Sequence, residues 1–115
     1  MAEIGELALA YRAGALAEAN LYHLFVDRAV PQLRLGPDDV PFAMGSFDRV
    51  LHTLRRCAAA GLLGGRTPED VGRQLWAVVH GLASLELAGF LGTPDAATPR
   101  WRDTIAALVG GFGLP

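Results

Sequence analysis

The sequence predicts one all-helical domain, a bundle of five helices that spans residues 1–115. Apolar residues recur three and four positions apart along most of the chain, which is the spacing of one face of an α-helix. A Thr-Pro pair, typical of a helix cap and the first helical position, occurs at residues 67–68 and again at 98–99. No segment gives a convincing strand pattern. With 115 residues the chain is long enough for one core, and no second core is expected.

The first two helices are predicted to run nearly end to end. Residues 3–19 form an amphipathic helix, with apolar positions at Ile4, Leu7, Ala8, Tyr11 and Ala15. Asn20 is a suitable N-cap for the second helix, and Pro31 ends it because proline cannot continue a helix. The apolar positions of this second helix are Leu21, Leu24, Phe25 and Val30.

Residues 31–45 are predicted to form the longest loop, because three prolines and two glycines interrupt regular structure there. Phe42 and Met44 lie in this stretch. Large apolar side chains in a connection usually fold back onto the protein. We therefore expect these two to cover the edge of the core or a ligand cavity.

Three more helices are predicted in the second half of the chain. The third begins at the cap residue Ser46 and ends at Gly64-Gly65, the fourth covers residues 68–91, and the last begins at the 98–99 pair. The fourth helix carries large apolar residues on nearly every side, and a helix of that kind is enclosed on every side. We expect one of its faces to meet the core of its own chain and another face to meet a second chain.

Composition and charge exclude several classes of function. Hydrophobic residues make up 51% of the chain and the net charge is −2, with a pI near 5.8. Nucleic-acid binding normally needs a basic face, so the chain alone is not expected to bind DNA or RNA. One cysteine cannot form an internal disulfide, no secretion signal is expected, and a cytoplasmic location is predicted. The apolar stretch at 75–91 is too short to span a bilayer and contains polar residues, so a buried helix is predicted instead.

No catalytic, metal or cofactor site is expected. His23, His52 and His80 lie on three different predicted helices and have no cysteine or paired carboxylate at ligand spacing. Ser46 and Ser84 are interpreted as a helix cap and a helix residue rather than as nucleophiles. The sequence therefore does not predict an enzyme.

Three residues of the fourth helix invite a closer interpretation. Trp76 and His80 are four positions apart and share a face, so they could form the wall and polar handle of a ligand site. The alternative is structural: a core tryptophan and an imidazole that is hydrogen-bonded to a backbone carbonyl. We favour this alternative because pockets contain few polar groups. Glu86 needs a partner, since an isolated buried carboxylate is costly. The candidate partners are Arg73, Arg100 and Arg102.

The residues Trp76, His80 and Gly81 resemble the W-x-x-x-H-G signature of one group of C-terminal domains of TetR-type transcriptional regulators. Residues 9–12 and 20–25 are similar to further stretches of that family, with departures at residues 13–14 and 20. The resemblance covers essentially the whole chain. It implies a domain that dimerises through its last two long helices and binds a small, often apolar effector within the bundle. The family's DNA-binding helix-turn-helix is absent from the sequence, so we expect a fragment or a natural form that lacks it.

These inferences together predict a homodimeric, effector-sensing regulatory domain that reaches DNA only through the missing helix-turn-helix. The predicted ligand-binding residues are Tyr11, Tyr22, Phe25, Phe42, Met44, Leu51, Arg55, Trp76 and His80. The predicted dimer-interface residues are Leu82, Leu85, Gly89, Phe90, Trp101, Ile105, Leu108 and Phe112. The alternative is a purely structural dimerisation module with a solid core and no ligand. A void in the centre of the bundle would distinguish the two.

Overall fold

A computed structural model describes residues 2–17, 19 and 41–114. The helices in these residues are α1 (Ala2–Ala17), α2 (Pro41–Ala59), α3 (Pro68–Leu87) and α4 (Pro94–Gly111). This part of the chain contains no strand, which confirms the all-helical class. The predicted count of five helices is not matched, because four are described. The second predicted helix, at 20–31, lies outside the described residues.

Helix α1 lies against each of the other three described helices. Its buried residues are Ile4, Ala8, Tyr11 and Ala15, and these are four, three and four positions apart. That spacing places them on one face of the helix, as the sequence predicted. The central position of α1 means that any site between helices of this bundle is partly built from it.

Helix α2 begins earlier than the sequence predicted. It starts at Pro41 rather than after Ser46, so the last residues of the predicted loop are helical. Proline suits the first turn of a helix, because its missing N–H would have no partner there in any case. The glycine at position 45 is accommodated inside the helix, where glycine costs about 1 kcal/mol relative to alanine.

Helix α3 begins where the sequence predicted and ends four residues earlier. The Thr67 hydroxyl accepts a hydrogen bond from the Asp70 N–H at 3.1 Å, which is the expected N-cap. The last helical residue is Leu87 and not Leu91. The buried residues of α3 form one face, which consists of Val71, Gly72, Leu75, Val79, Ala83 and Glu86.

Helix α4 also begins earlier than predicted. Thr93 is its N-cap, with a hydroxyl that accepts from the Ala96 N–H at 3.3 Å, and Pro94 opens the helix. Pro99, the predicted start, lies inside α4. Thr93-Pro94 carries the same signal as the pair at 98–99 and precedes it. The later proline is tolerated at the loss of one backbone hydrogen bond.

The ends of α2, α3 and α4 share one glycine motif, which explains why α2 and α3 stop before the predicted positions. Gly61, Gly89 and Gly113 have φ values of 74°, 86° and 78°, a conformation that glycine adopts without a Cβ penalty. The residue after each of these glycines donates a backbone hydrogen bond five positions back; for example, Phe90 donates to the Leu85 carbonyl at 2.9 Å. This is the Schellman arrangement. Gly89, predicted to face a partner chain, therefore serves as a helix terminator.

The buried side chains of the four helices meet in one core. The largest that are fully buried are Trp101, Leu54, Leu63 and Val71. Leu63 belongs to the connection between α2 and α3, and Leu114 adds a further buried residue after α4. Within the residues described, no helix is long and apolar enough to cross a membrane.

Candidate functional site

A small apolar cavity lies among the described helices. Its volume is about 30 Å³, which is enough for about one water molecule. None of the lining side chains carries a charge. The lining residues are Ile4, Leu7, Ala8, Tyr11, Phe47, Val50, Gly72, Leu75, Trp76, Val79 and Ile105. They come mostly from α1, α2 and α3, with one residue from α4.

Phe47 of α2 and Trp76 of α3 form what we call the aromatic wall of this cavity. Their ring centroids lie 5.3 Å apart with the planes tilted by 43°, within the range of favourable aromatic pairs. Both side chains are half-buried, so the wall reaches the protein surface. Trp76 Nε1 donates a hydrogen bond to the buried Tyr11 Oη at 3.3 Å. The tryptophan is therefore tied to α1, whereas the Phe47 ring has no polar atom with which to be tied.

Gly72 lies beside the aromatic wall. A Cβ atom at this position would be 3.2 Å from Leu51 Cδ2 and 3.5 and 3.7 Å from atoms of the Phe47 ring. The absence of a side chain therefore allows the ring and Leu51 to pack directly on the backbone of α3. Gly81, in the same helix, has nothing within 4 Å of the corresponding point. Of these two glycines, only Gly72 is required for close packing.

The structure brings two of the predicted ligand-binding residues, Tyr11 and Trp76, to the cavity and places Leu51 next to it. Arg55 is exposed and lies 3.5 Å from Glu69, in an ion pair on the surface. An exposed arginine held in this way faces water, so it does not line the cavity as predicted.

The other predicted ligand-binding residues do not line this cavity or cannot be placed. His80 is half-buried one turn after Trp76 and is not among the lining residues. Tyr22 and Phe25 lie outside the described residues. Phe42 and Met44 belong to the first turns of α2, and the description does not extend to their side chains.

Sequence reasoning missed the two residues that shape the outer part of the cavity, Phe47 and Gly72. In the sequence, Phe47 is one apolar residue of the third predicted helix, and no local feature separates it from its neighbours. A lone glycine inside an apolar helix was a usable signal, because it weakens the helix unless packing requires it. Gly72 and Gly81 both give that signal, and only their surroundings distinguish them.

A second feature, which we call the polar junction, consists of Arg12, Glu86, Thr98 and Trp101. Arg12 Nε and Nη2 donate to Glu86 Oε1 and Oε2 at 2.8 and 2.7 Å. Arg12 Nη1 donates to Thr98 Oγ1 at 2.7 Å, and Nη2 also donates to the Pro94 carbonyl at 3.0 Å. Trp101 Nε1 donates to Glu86 Oε1 at 2.8 Å. One arginine thereby links α1 to both α3 and α4.

The polar junction shifts the pKa values of its two charged groups in opposite directions. The hydrogen bonds from Arg12, opposed by burial and assisted by Trp101, lower the pKa of Glu86. The hydrogen bonds to Glu86 raise the pKa of Arg12. Both shifts favour the charged pair. Glu86 is paired, as expected, but its partner is Arg12 on α1 and none of the three arginines that the sequence suggested.

The predicted dimer-interface residues divide into two groups. Trp101, Ile105 and Phe112 belong to the core of their own chain, and Trp101 is 0% exposed, so these three offer little or no surface to a partner. These three residues therefore contribute mainly to the core of their own chain. The residues that keep exposed surface are Leu82, Leu85, Gly89, Phe90 and Leu108. Leu85 and Phe90 are 47% and 78% exposed.

A wider groove of about 480 Å³ lies between α1 and α4. Its walls include Gly5, Ala106 and Gly110, and Glu6 and Arg102 are also among its lining residues. The other lining residues are Ala8, Leu9, Trp101, Ile105, Val109 and Leu114. The charged side chains of Glu6 and Arg102 set this groove apart from the uncharged cavity, which therefore suits an apolar ligand better. None of the predicted ligand-binding residues lines this groove.

Metal binding finds no support in the described part of the chain, where no group of three His, Cys, Asp or Glu residues is placed to hold an ion. The single cysteine, Cys57, is buried and not in a disulfide.

The helices and the apolar cavity among them place the chain in the class of all-helical bundle domains. A comparison with family models is more specific, because the model of the tetracyclin repressor-like C-terminal domain matches residues 4–108. The chain therefore belongs to this family of TetR-like C-terminal domains. Such domains are regulatory rather than enzymatic, and they generally dimerise and bind small effectors. No curated protein and no solved structure gives a significant match.

Proposed function

We propose that the chain is the effector-sensing and dimerisation domain of a TetR-type transcriptional repressor. The effector is a small, mostly apolar molecule that binds at the cavity between α1, α2 and α3. The observation that carries the proposal is an uncharged, apolar cavity whose outer wall is a half-buried aromatic pair. Binding sites for small molecules are typically apolar, with a small number of polar groups that orient the ligand. Here Tyr11 Oη and Trp76 Nε1 are such groups.

The proposal includes a route from the effector to DNA. Helix α1 lines the cavity and lies against the other three described helices, so a ligand that shifts α1 or α2 changes the shape of the domain. In a cytoplasmic TetR-type regulator this change would alter the spacing of two helix-turn-helix heads. The acidic chain itself does not supply the basic surface that DNA binding needs. We also assign the domain to the W-x-x-x-H-G group, on Trp76, His80 and Gly81.

The size of the cavity favours a second candidate function. About 30 Å³ is far below the roughly 300–1,000 Å³ of ordinary ligand pockets. A domain that stays closed would be a dimerisation module with a solid core. The two candidates differ in whether the aromatic wall can open.

A ligand screen distinguishes these two candidates. The chain is heated with and without small neutral hydrophobes, both aromatic and aliphatic, while tryptophan fluorescence is recorded. A ligand that binds only the folded state raises the melting temperature in proportion to its occupancy. We expect such a rise together with a change in Trp76 emission. In Trp76→Phe the remaining tryptophan, Trp101, is expected to give no emission change. If no compound gives a thermal and fluorescence response, the result favours the solid core.

For dimerisation we propose the outward face of α3 together with Leu108 of α4. Val78, Leu82 and Leu85 lie four and three positions apart, so they share one face of α3. Val78 and Leu82 pack partly on the core and keep exposed surface, as does Leu108. A twofold axis would let one such patch cover its own copy in the partner.

The matched variants Leu85→Glu and Leu62→Glu test this surface. Both leucines are exposed in the chain, at 47% and 40%, so neither substitution buries a charge in a monomer. At a dimer interface Leu85→Glu would leave an unpaired, desolvated charge. We expect light scattering at tens of micromolar to give a dimer for the wild type and Leu62→Glu, and a monomer for Leu85→Glu. A folded monomeric wild type would contradict the dimer.

A further inference from the structure

We propose that Phe47 is the entry side chain of the cavity. The site takes one neutral aromatic ring in the place that the Phe47 ring now occupies against Gly72 and Trp76. This inference rests on the proposed effector-binding function and adds the entrance and the chemical class of the ligand. Its starting point is the cavity of about 30 Å³, which cannot hold an organic molecule until a lining side chain moves.

Burial decides which lining side chain can move. Ile4, Ala8, Tyr11, Leu75 and Val79 are buried in the core. Swinging one of them outward would break packing on every side. Ile105 is buried in the same way. The lining side chains longer than one carbon that reach the surface are Leu7, Phe47, Val50 and Trp76.

Among these four, Phe47 frees the space of an aromatic ring without breaking a hydrogen bond. Trp76 is held by its hydrogen bond to Tyr11 Oη at 3.3 Å, which its displacement would break. Leu7 and Val50 are smaller than an aromatic ring. The Phe47 ring is large and can turn toward water with the loss of apolar contacts alone. Phe47 is therefore the side chain that opens the cavity.

Gly72 gives the opened space a flat floor. Atoms of the Phe47 ring lie 3.5 and 3.7 Å from the position of a Gly72 Cβ, so the ring packs beside α3 at a position that carries no side chain. Trp76 forms the facing side, with its ring centroid 5.3 Å from that of Phe47. When Phe47 leaves, the vacated space keeps the shape of one aromatic ring. A ring in that space regains the contact with Trp76 that Phe47 gave up.

The lining also sets the charge of the ligand. It contains no charged side chain, and a charged group placed there would lose its hydration without a counter-ion. A neutral ring such as benzene or toluene fits these conditions. Benzoate has the same ring and a carboxylate, and is excluded on charge.

The test uses benzene, toluene and benzoate as probes, with binding measured by calorimetry and by the indole N–H resonance of Trp76. The wild type is expected to bind benzene and toluene and not benzoate. In Phe47→Ala the site needs no opening, so we expect toluene to bind about tenfold more tightly. In Gly72→Ala the new methyl group presses on Leu51 Cδ2 at 3.2 Å and lies at ordinary contact distance, 3.5 and 3.7 Å, from the place of the ring, so we expect binding weaker by at most about tenfold. Gly81→Ala is the matched control, because its methyl group meets nothing within 4 Å, and its affinity should equal that of the wild type.

Each result decides either this inference or the proposed function. Unchanged toluene affinity in Phe47→Ala overturns the inference even if Gly72→Ala does not fold, while the effector site stands because the wild type binds. Equal binding of benzoate and toluene also overturns it. If Phe47→Ala binds the probes and the wild type does not, Phe47 does not move aside in the wild type. That result would favour the solid core. If neither the wild type nor Phe47→Ala binds a probe, the inference fails; a response of the wild type to other hydrophobes would still support the proposed function.

Discussion

The polar junction and the aromatic wall join α3 to its neighbours by different kinds of contact. At the polar junction the Arg12 guanidinium donates two bonds to Glu86, at 2.8 and 2.7 Å, and Trp101 donates a third at 2.8 Å. At the aromatic wall, α2 meets α3 through two tilted rings 5.3 Å apart. Charged hydrogen bonds require a defined direction and distance, whereas apolar contacts are non-directional. The first region specifies one arrangement and the second tolerates several.

From this difference we expect α1, α3 and α4 to form a rigid frame and α2 to be the movable helix. The polar junction ties α1, α3 and α4 together through a single arginine. Among the described residues, the exposed ion pairs Arg56–Glu3 and Arg55–Glu69 join α2 to α1 and α3 in addition to apolar packing. Exposed pairs of this kind contribute about 0–1 kcal/mol. We therefore expect a ligand that enters at the aromatic wall to move side chains of α2, beginning with Phe47, before it disturbs the frame.

The largest expected effect comes from removing the cation of the polar junction. Arg12→Ala leaves the Glu86 carboxylate buried without its counter-ion, and we expect the free energy of unfolding to fall by about 3–5 kcal/mol. Arg56→Ala removes the arginine of the exposed pair with Glu3, for which we expect a change below about 1 kcal/mol. Urea unfolding at one fixed protein concentration measures both. Equal losses in the two variants would remove the distinction between frame and movable helix.

The second prediction concerns pH. Since the polar junction lowers the pKa of Glu86, its ionised form stabilises the fold at pH values above the ordinary glutamate pKa of about 4. That stabilisation is lost as the pH falls from about 4 through the lower folded-state pKa. The free energy of unfolding of the wild type should thus exceed that of Glu86→Gln, and this difference should be largest near pH 7 and smaller in acid. A difference that stays constant down to about pH 2 would contradict the assigned pKa shift.

The third prediction compares the two tryptophans, each of which donates one indole hydrogen bond. Trp101 donates to a buried carboxylate, so Trp101→Phe should lower the free energy of unfolding by about 1.5–3 kcal/mol or more. Trp76 donates to a neutral phenol at 3.3 Å, and Trp76→Phe should cost about 0.5–1.5 kcal/mol. Chemical denaturation of both variants gives the comparison. A larger loss at Trp76 would mean that the aromatic wall is the stronger of the two regions.

The smallest expected effect is at the two glycines of α3. Gly81→Ala should raise the free energy of unfolding by up to about 1 kcal/mol, because alanine favours the helix and its methyl group has open space. Gly72→Ala has the same advantage in helix propensity. Its methyl group would lie 3.2 Å from Leu51 Cδ2, so the gain should be smaller or reversed. An equal gain at both positions, measured by thermal unfolding, would show that the packing around Gly72 is loose.

The sequence by itself determined the all-helical class and the start of α3. Both depend on local physics, since the spacing of apolar residues and the Thr67 cap act within a few positions along the chain. The position of Glu86 among the apolar residues of the fourth predicted helix also showed that this carboxylate needs a partner. Capping is less decisive when signals compete, and α4 is capped by Thr93 rather than by Thr98, which the sequence suggested. The glycine terminators were equally local, but the sequence contains several glycines near each helix end.

Only the tertiary structure decided which residues meet across the bundle. Arg12 and Glu86 are 74 positions apart, and no spacing rule connects them. Trp101 is fully buried in its own chain and not at a surface, because the faces of α4 are assigned by packing against α1. Gly72 and Gly81 are identical as residues, and the close approach of Leu51 to Gly72, with the Phe47 ring beside it, makes the difference. Local chemistry sets where helices begin, whereas contacts between distant residues set what lies between them.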